Sequence, residues 1–362
     1  MILAATVGRV DDSSAPRASV VVCTRDRPES MLRCLRSIVE DVSHTPWDVE
    51  IVVVDNGALA GSRPFSVPSE FDEMASVRVV VEPVPGLSAA RNRGVEASSG
   101  AIIAFTDDDV SVRPGWVEAL VEGFRDSSVG AIGGRVLPLW DGCKPGWIVG
   151  EHSEIIELRD LGLTPHSCAA ERLPYGANLA FRRSALSEVT PPFHPSLGHT
   201  DGVGFAGEEV FALERLLELG WSVDYQPAAV VDHHILAARL GYAAVAAKYF
   251  ACGLGVTRRE RLHGTPRTES RMRAAARALR ARRRLLRLRN RTDGSSVALK
   301  AQKEMREFLW MGRTVGSAIG GVPWLEAWTA HRWVPKSLEP PPGPSREDGG
   351  RSARSRGVRR LR

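Results

Sequence analysis

Residues 85–110 read PGLSAARNRGVEASSGAIIAFTDDDV, and the way this stretch changes character decides the fold. A helical pattern runs to Ala97, two serines and a glycine interrupt it, and an apolar run then ends on Asp107, Asp108 and Asp109. An apolar run without alternation is how a strand covered on both faces reads, so AIIAFTD (101–107) predicts an inner strand of a parallel sheet. The same kind of run recurs upstream as ASVVVC (18–23), VEIVVVD (49–55) and VRVVVE (77–82). Between the runs lie helical segments. Pro28 opens one that reaches Val39 with Met31, Leu35, Ile38 and Val39 on a single stripe, and Ser88 is placed to cap the one that ends at Ala97. Crossovers of this length predict parallel neighbours and an α/β body.

Downstream, the pattern predicts a helix from about Pro114 to Phe124 and a glycine-rich strand, GAIGG, at 130–134. Residues 138–206 are less regular, with LPYGANLAFRRSAL (173–186) as their ordered piece. A helix follows over Glu208–Leu219, stopped by Gly220, and short strands near 222–225 and 228–232 close the body at His233 and His234. Then ILAARLGYAAVAAKYFACGLGV (235–256) is apolar for its whole length except Arg239 and Lys248. Those two charges argue against a bilayer span and for a core or interfacial helix.

Charge divides the chain. Residues 258–291 hold 14 arginines against two glutamates, a net +12, and residues 292–362 add +6; since the whole chain is +5, residues 1–257 carry −13. An acidic body and a basic arm predict four parts: a flexible N-terminus (1–16), the α/β domain (17–257), a basic helical extension (258–339) and a disordered basic tail (340–362). Average composition, 43% hydrophobic and 25% charged, excludes wholesale disorder. Five scattered cysteines without a C-x-x-C pair exclude a disulfide framework and a zinc module and fit a reducing compartment. The first residues lack the basic and long apolar regions of a signal peptide, so the expected location is cytoplasmic.

In open parallel sheets ligands bind at the carboxyl ends of the strands, and here those ends are polar: Thr24-Arg25-Asp26-Arg27, Asp55-Asn56-Gly57 and Thr106-Asp107-Asp108-Asp109. Any one of them alone is as well explained by turn and cap chemistry. Three adjacent carboxylates in a partly dry site repel unless a cation sits among them, and a hard divalent ion, Mg2+ or Mn2+, shared with a diphosphate would relieve that repulsion. No phosphate-cradling G-x-x-x-x-G-K-[ST] loop and no G-x-S-x-G elbow is present.

The pieces SVVVCTRDRP, EIVVVDNG, PGLSAARNRGVEASSGAIIAFTDDDV, PYGANLAFRRSAL and GEEVFALERLLELGW with VVDHH, in that order, resemble the inverting family 2 glycosyltransferases of the GT-A fold over about residues 18–235. The resemblance implies a Rossmann-like nucleotide-diphospho-sugar transferase domain acting on a UDP- or dTDP-type donor and a hydroxyl acceptor: a polysaccharide, a lipid-linked glycan or a small aglycone. It implies that Thr24, Arg25, Asp26 and Asp55 line the nucleoside pocket with Asp108, that Arg91 faces the base or diphosphate, and that Asp107 leans toward the ribose. Asp109, with Asp107 and one of His233 and His234, would hold the metal. Gly176 and Ala177 would let the backbone approach the donor sugar, with Asn178 as a hydroxyl contact. The catalytic base of the family is the Asp of a Glu-Asp pair at a helix start. Here the pair is Glu208-Glu209, so Glu209 takes that place with a longer reach, or Glu208 shares the task.

Three other readings stand beside this one. A nucleotidyltransferase uses a similar sheet and metal but wants glycines in the turn after the first strand, which TRDRP lacks. A degenerate transferase would bind the sugar nucleotide without turnover, and the Glu at 209 keeps that open. A nucleic-acid binder would use the arginine-rich arm, but the arm has no interleaved aromatics, so no nucleic-acid partner is expected. For the arm, two readings remain level: a peripheral contact with an anionic membrane, or a helical subdomain whose arginines are solvated or paired with the acidic body.

Overall fold

A computed structural model of the chain describes residues 18–57, 65–71, 76–149, 155–156, 158–199, 204–205, 207–264, 271–289, 296–319, 329, 333–334 and 338–340. The expected flexible N-terminus and almost all of the basic tail lie outside them. The strands are β1 (Ala18–Thr24), β2 (Val49–Asp55), β3 (Ser76–Val81), β4 (Ile102–Asp107), β5 (Val110–Val112), β6 (Val129–Trp140), β7 (His166–Ser167), β8 (Asn178–Arg182), β9 (Gly198–His199), β10 (Gly204–Phe205) and β11 (Ser222–Ile235). The helices are α1 (Pro28–His44), α2 (Leu87–Ala97), α3 (Trp116–Gly123), α4 (Arg183–Ser187), α5 (Glu208–Glu218), α6 (Tyr242–Leu262), α7 (Arg271–Arg289) and α8 (Val297–Ile319).

Nine of these strands form one sheet in the order β3-β2-β1-β4-β8-β6-β11-β5, with β7 on β11, while β9 and β10 pair separately. β3, β2, β1 and β4 are parallel neighbours, as the crossovers predict. Their continuous apolar runs feed two cores: Val20, Val22, Ile51 and Val53 pack on one face with α1 and α3, and Val21, Val52, Val54 and Phe105 pack on the other with α2 and α5. Residue-by-residue alternation across the sheet sends neighbours to opposite faces. The predicted stripe of α1 is buried, and Pro28 stands at its start. Buried Asp41 near its end accepts the Gly115 and Val117 amides at 2.6 and 2.9 Å, so α1 supplies the anion that α3 wants at its amino end.

The structure departs from the sequence pattern in four places. Asn178–Arg182 is a strand, β8, antiparallel to both β4 and β6, so the PYGANLAFRR segment is built into the centre of the sheet. The two short strands expected near 222–232 are one, β11, with a register slip between Gln226 and Val230; Pro227, which lacks an amide hydrogen, falls in the slip. Ser88 does not cap α2. It lies in the first turn and donates its hydroxyl to the Leu197 carbonyl at 2.7 Å. The apolar stretch 235–256 is divided between the end of β11, a tight turn at Ala237–Leu240 and α6, which runs on through residue 257.

α6 buries Val245, Tyr249, Phe250 and Leu254 and is a core helix; among the described residues no helix is long and apolar enough to cross a membrane. It crosses α8 at backbone contact. A Cβ on Gly253 would sit 2.2 Å from the Leu309 carbonyl oxygen, and one on Gly312 would sit 2.0 Å from that of Phe250. Only glycine permits so close an approach. The Tyr242 hydroxyl donates to buried Glu304 of α8 at 2.8 Å and fixes the same pair of helices farther along.

Candidate functional site

The carboxyl ends of β1 and β4, the start of α5, the end of β11 and the inner face of α6 enclose a cavity of about 490 Å³. Thr24, Arg25, Arg91, Asp107, Asp108, Asp109, Glu208, Glu209 and His233 line it, so one space unites residues that lie up to 209 positions apart in the chain. Two groups of carboxylates, each gathered around its own charged partners, share it.

The first group surrounds Arg91. Its Nη1 donates to Glu208 Oε1 at 2.7 Å and lies 3.8 Å from Glu209 Oε2, while Nη2 lies 3.4 Å from Asp107 Oδ1. The guanidinium rests over the rings of Phe193 and Phe105, 5.7 and 6.0 Å from their centroids, which holds it flat. Gly176 contributes by its lack of a side chain: a Cβ there would lie 2.3 Å from Arg91 Nη2. The small residue expected to admit a donor sugar therefore makes room for this arginine. Burial alone would lower the Arg91 pKa, but Glu208, Asp107 and Glu209 outweigh it and hold the charge more firmly. Burial raises Glu208 above the ordinary carboxylate range in spite of Arg91. Glu209 lies on the more open side, with its side chain 15% exposed against 3% for Glu208.

The second group surrounds Asp109. Arg239 Nη1 lies 2.6 Å and Arg27 Nη1 3.3 Å from Oδ2, and His233 Nε2 lies 3.3 Å from Oδ1. Burial pushes this carboxyl up, yet the His233 contact and the charges of His233, Arg239 and Arg27 bring it well below the ordinary range. Asp108 points back into the body, accepting from Thr24 Oγ1 at 2.8 Å and Arg27 Nη1 at 3.1 Å. Burial and then Asp109 raise it. Alternation along β11 settles the histidine pair: His233 turns to the cavity, and His234 turns away to Ser111 Oγ at 2.8 Å. Cys23 also borders the cavity, but burial pushes its thiol up to about 12, which excludes it as a ready nucleophile.

Four expected site residues stand outside the cavity lining. Asp26 is exposed, at φ 55°, with its carboxylate against Gly57. Asp55 is buried and spends its two oxygens on the Gly57 and Phe65 amides at 2.8 and 2.7 Å, so it shapes the turn after β2. Asn178 is fully buried: its oxygen accepts from Trp116 Nε1 at 2.8 Å, and its amide donates to the Arg135 and Ala229 carbonyls at 2.9 Å each. With both amide hydrogens and the oxygen engaged, it serves the sheet rather than a sugar hydroxyl. His234 is the fourth. Arg27 and Asn56, from the polar ends of β1 and β2, line the cavity too, as do Tyr175, Ile156, Arg239 and Lys248, which were not expected there. The one signal for the last two was their charge inside an otherwise apolar run.

The donor set fits a divalent cation in part. Asp109 and Asp107 carboxylates and the His233 imidazole are the ligand types such an ion takes, and all three face the cavity. Among the described residues no three such side chains are grouped closely enough to hold an ion by themselves, so a bound ion would need ligand oxygens to complete its shell.

Comparison with known proteins agrees with this architecture. Residues 19–189 match the model of glycosyl transferase family 2. A pre-mycofactocin glycosyltransferase of Mycobacterium tuberculosis is 28% identical over 246 residues, 64% of this chain but 46% of that protein, so the chain spans less than half of that relative. A glucosyl-dolichyl phosphate glucuronosyltransferase of Haloferax volcanii is 28% identical over 60% of this chain and 69% of its own length. The succinoglycan biosynthesis protein ExoM of Rhizobium meliloti is 26% identical over 67% and 75%. A mannosyltransferase from Pyrobaculum calidifontis, solved with GDP-Man and Mn2+, superposes with a TM-score of 0.48 at 16% identity over 87% of this chain and 74% of that one, a likeness too loose to carry a functional inference. With its βαβ half and its aspartate-ended β4 inside the matched stretch, the chain carries over residues 19–189 a domain that matches glycosyl transferase family 2.

Proposed function

We propose that the chain moves a glycosyl group from a nucleoside-diphosphate sugar, of UDP or dTDP type, to a hydroxyl acceptor with inversion at the anomeric carbon. The observation that carries this reading is that Asp107, Asp109, Glu208 and Glu209 line one cavity, with Arg91 joining Asp107 to the two glutamates. The donor lies with its diphosphate toward the Asp109 side, where Arg27 and Arg239 supply positive charge. A divalent cation, Mg2+ or Mn2+, would be held by Asp109, Asp107 and His233 and would neutralise diphosphate charge when bound. Glu209 takes the proton of the acceptor hydroxyl as its oxygen bonds to the anomeric carbon. The bond from that carbon to the diphosphate oxygen breaks, and its electron pair leaves with the diphosphate. Glu208, committed to Arg91, holds the start of α5 in place so that Glu209 is presented to the acceptor. Five free cysteines suit a reducing compartment such as the cytoplasm.

The test is donor hydrolysis. Incubated with a panel of labelled sugar nucleotides and Mn2+ but no acceptor, the protein is expected to release nucleoside diphosphate slowly from one nucleotide class. Release from none of them, with intact folding by circular dichroism, sinks the assignment. Binding of one donor without any release points instead to a transferase that has lost turnover.

A further inference from the structure

The basic arm is two different objects. The arginines at the end of α6 turn to their neighbours: Arg258 donates to the Ser196 carbonyl at 2.5 Å, Arg259 pairs with Glu214 of α5 at 2.9 Å, and Arg261 donates to the Gly316 carbonyl of α8. Arg259 thus meets a carboxylate of the α/β body, while Arg258 and Arg261 meet backbone carbonyls. α7 differs in composition and exposure. It holds nine arginines and no acid, and Arg273, Arg277, Arg280, Arg282, Arg283, Arg284 and Arg287 are all exposed. Arg284 reaches Glu307, at 3.1 Å, on α8.

α7 also has two apolar seams. Ala274, Ala278, Ala281 and Leu285, at most 5% exposed, pack it onto α8. Met272, Leu279 and Leu286, seven residues apart, are 82%, 53% and 49% exposed. At roughly 100° per residue these three fall within about 40° of one another and about 130° from the buried seam, so they form a second line on the outer side. Arg282 borders that line on one side, and Arg283, Arg287 and Arg280 border it on the other. A polar-faced surface helix has no need of a second seam, and a helix made only for a polyanion has no need of an apolar one. Apolar side chains flanked on both sides by guanidinium groups match one partner in both respects: a surface whose anionic groups overlie hydrocarbon.

We propose that α7 docks the protein on an anionic lipid surface, with Met272, Leu279 and Leu286 entering the headgroup boundary and Arg280, Arg282, Arg283 and Arg287 pairing with lipid phosphates. The contact is peripheral. It goes beyond the transferase assignment and does not depend on it, because its readout is partition rather than turnover.

The experiment uses the full chain and vesicles of phosphatidylcholine, pure or in equimolar mixture with phosphatidylglycerol. The protein is expected to co-sediment with the mixed vesicles at low salt, to leave them in a high-salt wash, and to ignore pure phosphatidylcholine. Replacing Met272, Leu279 and Leu286 together by Ser should lower partition about tenfold. Replacing Arg280, Arg283 and Arg287 by Gln should lower it on the order of a hundredfold, at roughly fivefold per basic side chain. All six side chains are exposed, and circular dichroism should show both variants folded. In Leu279→Trp, indole emission should shift to the blue with mixed vesicles. Four results overturn the proposal: no binding to mixed vesicles at low salt, retention after the high-salt wash, full partition of the serine variant, or an unshifted Leu279→Trp spectrum. An oligonucleotide bound tightly by wild type and serine variant alike would assign the face to nucleic acid, and a dimer dissolved by the serine substitutions would assign it to a second copy.

Discussion

Two buried glutamates, one near the start of a strand and one at the start of a helix, are treated in opposite ways. Glu50, near the start of β2, is 7% exposed. It accepts from Ser19 Oγ at 2.6 Å, from the Ser99 amide and hydroxyl at 2.5 and 2.8 Å, and from Arg78 at 2.9 Å. Burial pushes its carboxyl up, but the Ser19 and Ser99 hydrogen bonds outweigh burial and bring it down to about 2. Glu208, at the cavity end, is 2% exposed and has Arg91 as its strong donor, and burial wins. At the base of the sheet a charge is buried only with its full complement of donors. At the cavity the complement is short, and a shortfall of that kind marks a place where a ligand completes the environment.

The largest test of that contrast is Arg91→Met. It leaves Glu208 buried without its cation, and removal of one partner from a buried pair costs about 3–5 kcal/mol. Denaturant unfolding should show that loss, and Arg91→Met with Glu208→Gln should recover most of it. A single variant as stable as wild type would mean that Arg91 is not what keeps Glu208 in place. Next is Glu209→Gln, expected to slow turnover by on the order of a hundredfold while nucleoside-diphosphate affinity stays the same. Equal turnover in wild type and variant moves the proton to another group, and Glu208→Gln would then be the informative comparison. Third is Asp109→Ala, expected to weaken Mn2+-dependent nucleoside-diphosphate binding by about tenfold or more in calorimetry. Binding that is tight without the ion and indifferent to the substitution would remove the metal from the proposal.

The smallest effects are in the pH dependence of stability. Glu50 has its folded pKa depressed, so its contribution is present above 4.5 and is lost as pH falls toward about 2. Glu208 has its folded pKa raised above 4.5, so it costs stability as pH rises through the interval above that value. Glu50→Gln should therefore flatten the acid limb of the unfolding profile, and Glu208→Gln should flatten the limb above 4.5. Profiles that change in the reverse order would erase the distinction between the two sites.

The parallel half was legible because burial on both faces leaves a plain mark: Val20–Val22 of β1, Ile51–Val54 of β2 and Ile102–Phe105 of β4 are apolar without a break. β8 was not, since its direction is imposed by β4 and β6 and nothing in NLAFR encodes it. Acidic strand ends and the paired glutamates pointed to the cavity for the same local reason that they line it. Asn178 misled in an instructive way. An amide that holds three pieces of backbone and indole looks, in a sequence, like one that holds a sugar. Arg239 lies 130 positions from Asp109 and is brought there by the turn after β11; no local pattern reports a pairing of that span.

The contact between Gly253 and Gly312 leaves α6 and α8 without a layer of side chains to slide on. They form a single beam with one axial setting. Ala244 and Lys248, which close the cavity, and the packing of α8 beneath α7 are therefore cut to a common gauge. One residue inserted between Lys248 and Gly253 would turn everything before it by about 100° relative to the crossing. The arm is thus intolerant of length changes on the cavity side of Gly253.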